Sequence, residues 1–83
     1  MTEVRDAVEV ILELLSEIRP EADYRTSQNY LEEGLMDSFD IVTLVADLEE
    51  AFDISIDGAD IVPEHFVNLD ALRTLLRKNG ASA

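Results

Sequence analysis

Cysteine is absent from the chain, so neither a disulfide framework nor a thiolate metal site can form, and stability has to come from packing. Basic residues are scarce: six Lys and Arg face nineteen Asp and Glu, a formal net charge of -13 at pH 7. The scarcity is uneven, because no Lys or Arg lies between Arg25 and Arg73, while twelve acids fall from Glu32 to Asp70. Such a surface repels phosphate backbones and anionic membranes, which argues against nucleic-acid partners and favours partners with basic patches. The two Tyr and three Phe are not interleaved with bases, so they form no stacking platform for single strands. No apolar run approaches the roughly 18 residues of a membrane span. The opening Thr2-Glu3-Val4-Arg5-Asp6 lacks the basic start and apolar run of a signal peptide. A cytoplasmic monomer is expected.

What is present is 47% hydrophobic content in 83 residues, enough for one core and too little for a second core or a deep catalytic cleft. Val4, Val8, Ile11, Leu15 and Ile18 recur at helical spacing, with Glu3, Asp6, Glu9, Glu13 and Glu17 mostly off that face. They predict a first helix over about 3–19, ended by Pro20. From Glu21 to Asp37 the pattern breaks into an ordered loop that Tyr24, Tyr30, Leu31 and Leu35 tie to the core, with Gly34 available for a positive φ.

A second helix is predicted over 38–52, capped by Asp37 or Ser38. On its wheel Ile41, Leu44, Val45, Leu48 and Phe52 form the core stripe, while Phe39, Val42 and Ala46 lie on the far side beside Thr43, Glu50 and Asp53. An exposed Phe among acids is an apolar centre with a charged rim, the composition of a small docking surface. Asp53 to Gly58 alternates with period two and predicts an extended linker that turns Ile54 and Ile56 inward. Pro63 opens a short helix over 63–67, and Asn68 caps a last helix over 69–78 with Leu69, Leu72, Leu75 and Leu76 inside. Asn79-Gly80 stops it, leaving a frayed tail at 81–83. The fold class is all-α: a four-helix bundle of three main helices and one short one, forming a single domain over 1–83.

Alone, Asp37-Ser38-Phe39-Asp40 reads as a helix cap. In context, Gly34-Leu35-Met36-Asp37-Ser38-Phe39-Asp40 followed by Val42, Leu44, Val45, Leu48, Glu49, Glu50, Phe52 and Asp53 resembles the modification-site segment of acyl carrier proteins. Phe66-Val67-Asn68-Leu69 is similar to the junction between the last two helices of that family. The resemblance implies that Ser38, presented by Asp37, takes a 4′-phosphopantetheine arm from coenzyme A through a phosphopantetheinyl transferase. Acyl groups would then ride as thioesters on the arm, in fatty-acid or related lipid metabolism. It also implies that the second helix meets acyl-loading and acyl-processing enzymes, through Phe39, Asp40, Val42, Thr43, Ala46, Glu49 and Glu50. Thr43 stands where many fatty-acid carriers have an acid, and Ala46 where they often have Met. D-alanine, another amino acid or a polyketide unit are the alternative cargoes, and Gly34 to Phe39 looks somewhat like D-alanyl carriers.

A more remote alternative is a calcium-binding helical module, since Asp53, Ser55, Asp57, Gly58 and Glu64 approximate the spacing of an EF-hand loop. Against it, Ile54 and Ile56 alternate as core residues, Asp60 stands where an apolar residue is usual, and Pro63 interrupts the exiting helix. No metal site is expected. Nor is catalysis: His65 is the sole histidine, expected to face solvent, and Ser38 lacks the Gly-x-Ser-x-Gly turn of a hydrolase nucleophile. Val42, Leu48, Phe52, Ile56, Ile61, Phe66 and Leu69 are the expected lining of any acyl shelter.

Overall fold

The computed structural model describes residues 6–81. Within them α1 (Ala7–Ile18), α2 (Ser38–Phe52) and α3 (Leu69–Lys78) are joined by a long loop and then by two 3-10 turns, Gly58–Asp60 and Pro63–Phe66. The expected start of α1 at Glu3 lies outside the described residues; within them Asp6 Oδ1 caps the helix by accepting from Val8 N at 2.8 Å. The element expected over 63–67 is a single 3-10 turn. Pro63 brings no N–H, Val62 supplies no side-chain cap, and Asn68 must already be extended to cap α3, so there is no room for an α-helical turn.

The three helices converge on one core. Ile11 and Leu15 of α1, Ile41, Leu44, Val45 and Leu48 of α2, and Leu72, Leu75 and Leu76 of α3 are buried with Phe66 and Ile56. Phe52, expected in the core stripe, is only half-buried at the end of α2. There Asp53 adopts a left-handed conformation (φ 52°), which reverses the chain and lets Ile54 N reach back to Glu49 O at 3.1 Å. At the end of α3, Gly80 (φ 100°) lets Ala81 N bond Leu76 O and its own N bond Arg77 O, the two reverse bonds of a Schellman motif. Ala81 is therefore held half-buried against the core, where a frayed residue was expected; residues 82 and 83 lie outside the described residues.

The loop between α1 and α2 has little regular backbone pairing, so side chains have to satisfy it. Tyr30 is fully buried and donates its hydroxyl to Tyr24 O, while the Tyr24 hydroxyl donates to Leu35 O at 2.8 Å. The two rings meet edge to face with centroids 5.0 Å apart. Tyr30 N donates to Val67 O at 2.7 Å and Asn68 Nδ2 to Gln28 O at 3.1 Å, binding the loop to the start of α3. Burial pushes both phenols above their ordinary pKa, so they stay protonated donors across the working pH range.

The segment after α2 is fastened by Asp60, a carboxylate that is buried in a chain of high negative charge. Its Oδ1 accepts from Lys78 Nζ at 2.7 Å and its Oδ2 from Asn79 Nδ2 at 3.4 Å, while Asn79 Oδ1 accepts from Asp57 N at 3.0 Å. The Asp60 carbonyl accepts from His65 Nδ1 at 2.6 Å, so the ring carries its proton on that nitrogen. His65 is thus half-buried and internally bonded, where a solvent-facing residue was expected. The hydrogen bond and charge of Lys78 hold the Asp60 carboxyl below the usual carboxylate range. A depressed folded-state pKa contributes stability above the unfolded value of about 3.9 and loses it as the pH falls through the folded value. Asp60→Asn should accordingly melt at lower temperature than the wild type at pH 7. The difference should shrink below about pH 4 as the wild-type carboxyl protonates; thermal melts of both chains across that range check it.

Candidate functional site

Helix α2 begins with a reciprocal cap. Asp37 Oδ1 accepts from Phe39 N at 2.9 Å and Asp40 N at 3.0 Å, and Asp40 Oδ2 accepts in return from Asp37 N at 3.1 Å. Of the two capping candidates in the sequence it is therefore Asp37 that caps, and Ser38 is the first residue inside the helix. Ser38 is exposed, and among the described residues none bonds its hydroxyl.

The other described serines differ. Ser16 Oγ donates to Glu13 O within α1, and Ser27 is buried with its Oγ donating to Glu33 Oε2 at 2.7 Å. Ser55 is exposed but sits in the extended segment between the inward-turned Ile54 and Ile56. Ser38 alone of these has an open apolar face one step along its helix.

That face is formed by Phe39, 83% exposed, and Val42, 67% exposed, with Thr43, Ala46 and Glu50 also exposed. Thr43 turns its hydroxyl back to Phe39 O at 3.4 Å. Asp40 and Glu49, expected beside them, are engaged within the chain. Asp40 closes the capping box, and Glu49 Oε2 accepts from Ile56 N at 2.9 Å, fastening the end of α2 to the following segment. The spacing Asp37-x-x-Asp40 already carries the signal for the first of these roles; nothing in the local pattern carries the second, which joins residues seven apart across a chain reversal.

Residues of the proposed calcium loop are also in structural use. Asp57 caps the 3-10 turn by accepting from Ala59 N, and Asp60 is paired with Lys78. Among the described residues no three His, Cys, Asp or Glu side chains gather in a way that could hold a metal ion. The residues expected to line an acyl shelter do not lie at one depth: Phe66 and Leu48 are fully buried, whereas Val42 and Ile61 reach the surface.

A family profile described as a phosphopantetheine attachment site matches residues 3–76. The chain belongs to this family of carrier proteins. No curated protein and no solved structure matches it. Membership makes the chain a non-catalytic carrier of 4′-phosphopantetheine, a group joined by phosphopantetheinyl transferases and served by processing enzymes. The all-helical fold agrees with membership, and no helix among the described residues is long and apolar enough to cross a membrane. In this carrier protein the cap and the candidate serine are separable by mutation. Asp37→Ala should cost about 1 kcal/mol, within the 0.5–2 kcal/mol usual for losing an N-cap. Ser38→Ala should stay within about 0.5 kcal/mol of the wild type, as a surface substitution that removes no bond. Urea unfolding of the two variants measures both.

Proposed function

We propose that Ser38 is the attachment point of the 4′-phosphopantetheine arm, and that the chain is a cytoplasmic acyl carrier for fatty-acid or related biosynthesis. The exposed, unbonded hydroxyl of Ser38 on the first turn of α2 carries this reading. On a transferase, Ser38 Oγ attacks the coenzyme A phosphorus that bears the pantetheine. The new Oγ–P bond replaces the P–O bond to adenosine 3′,5′-bisphosphate, and the hydroxyl proton passes to a base of the transferase. When attached, the arm supplies a terminal thiol that holds acyl groups as thioesters.

The chain contributes position and recognition. The amides of Phe39 and Asp40, which a helix N-terminus would otherwise offer to a phosphate, are already taken by Asp37, whose negative charge opposes a second anion there. Ser38 thus projects its substituent into solvent, free to swing between enzymes. Phe39 and Val42 give a partner apolar area immediately beside Ser38, and the acids from Glu32 to Asp70 steer basic patches toward it.

A second reading, carriage of D-alanine, another amino acid or a polyketide unit, is favoured by the composition of the exposed face. Thr43 and Ala46 are both exposed there, and Asp40 and Glu49 turn to internal bonds, so the face is less acidic than the linear sequence suggests. Incubation of purified apo chain with coenzyme A and a broad-specificity phosphopantetheinyl transferase should add the mass of one arm to the wild type and none to Ser38→Ala. Mass gained by the Ser38→Ala chain would sink the assignment. Transfer from a panel of acyl and aminoacyl donors then separates the two cargo classes.

A further inference from the structure

The hydrogen bonds of the α1–α2 loop form a closed circuit that ends three residues before Ser38. Tyr30 donates its hydroxyl to Tyr24 O; Tyr24 donates its own to Leu35 O at 2.8 Å; Leu35 N returns to Tyr30 O at 2.8 Å. Through Tyr30 N and Val67 O the circuit is anchored to the turn before α3. Beyond Leu35 the restraint continues, with Met36 buried in the core and Asp37 N held by Asp40 Oδ2. The Leu35 and Asp37 amides and the Met36 side chain are therefore all held, although this stretch lies outside any helix.

We infer that Tyr24 is a positioning residue for the modification of Ser38, its hydroxyl clamping the Leu35 carbonyl so that the Asp37–Ser38 turn is presented in one orientation. The inference rests on the assignment of Ser38 as the attachment point. Three observations separate it from a general role in stability. Tyr24 is 3% exposed, and its hydroxyl is the atom that hydrogen-bonds the segment leading to Ser38. A phenylalanine would fill the same volume and keep the edge-to-face contact with Tyr30. What it would lose is the hold on Leu35, together with a weaker interaction with Arg19 at the end of α1, and Leu35 is joined to Ser38 through only two residues, too short a path to absorb the slack. Burial keeps the phenol protonated, so the clamp holds throughout the pH range in which transferases work.

The test compares loading kinetics of wild type, Tyr24→Phe and Ile56→Val, using coenzyme A and one phosphopantetheinyl transferase, at a temperature where melts show all three folded. Ile56→Val loosens the buried core away from the loop and serves as the stability control. Tyr24→Phe should lower kcat for the apo chain about tenfold, the scale expected when a reacting group is displaced by less than 1 Å. KM should remain within about twofold, because the exposed face of α2 is untouched. Hydrogen exchange at the bonded Leu35 and Asp37 amides should quicken in Tyr24→Phe and not in Ile56→Val. Unchanged kcat in Tyr24→Phe, or an equal fall in Ile56→Val, overturns the positioning role. Absence of loading at Ser38 in the wild type overturns the attachment assignment and this inference together, and it is recognisable because it precedes any mutation. If Tyr24→Phe does not fold, Tyr30→Phe, which frees the Tyr24 carbonyl one bond earlier in the circuit, is read by the same criteria.

Discussion

The rotation of α2 about its own axis governs what the molecule can present, and the Asp37–Asp40 capping box sets the residue at which that rotation starts. Once the amides of Phe39 and Asp40 are bonded to Asp37, helical geometry carries Ile41, Leu44, Val45 and Leu48 into the core and leaves Phe39 and Val42 outside. The spacing of these residues sets the two faces wherever the helix begins, and the cap fixes Ser38 as its first residue. The cap also takes the Phe39 and Asp40 amides of the helix end, so the same carboxylate that begins the helix opposes a phosphate lying against it.

A chain with six cations for nineteen anions can form few ion pairs, and it places one on a segment with little regular structure. Lys78 reaches back from the end of α3 to Asp60, in the segment that runs between α2 and α3 with only two 3-10 turns of regular structure. Around that pair Asn79, Asp57 and His65 complete a polar cluster of side-chain and backbone hydrogen bonds about the buried carboxylate. The acids left over stay on the surface, where they maintain a field attractive to basic partners.

The helices were legible because each carries a repeated signal. Period 3.6 marked the buried faces, Pro20 and Gly80 marked two ends, and Asn68 marked the start of α3; the bounds of α2 and α3 agree with the pattern to the residue. The apolar face of Phe39, Val42 and Ala46 was legible for the same reason, since on a helix of known start exposure follows from angle. The family followed from order in the sequence around Ser38. The roles of Glu49, Asp60, His65 and Tyr24 had no such signature: each depends on a partner brought near by chain reversal, at separations of 7, 18, 5 and 11 residues.

By itself, the sequence determined that the chain is helical, that one face of α2 is buried and the opposite one open, and that Ser38 stands at the head of that helix. These are consequences of local periodicity and of capping chemistry, which act over a few residues and need no knowledge of the rest. The structure settled that Asp37 and not Ser38 is the cap, and only the tertiary structure decided that Glu49 bonds the returning chain at Ile56 and that the Tyr24 hydroxyl reaches Leu35 O on the approach to Ser38. An acid on a helix can satisfy an amide of its own chain or meet water equally well as far as composition goes. Which it does depends on where the backbone returns.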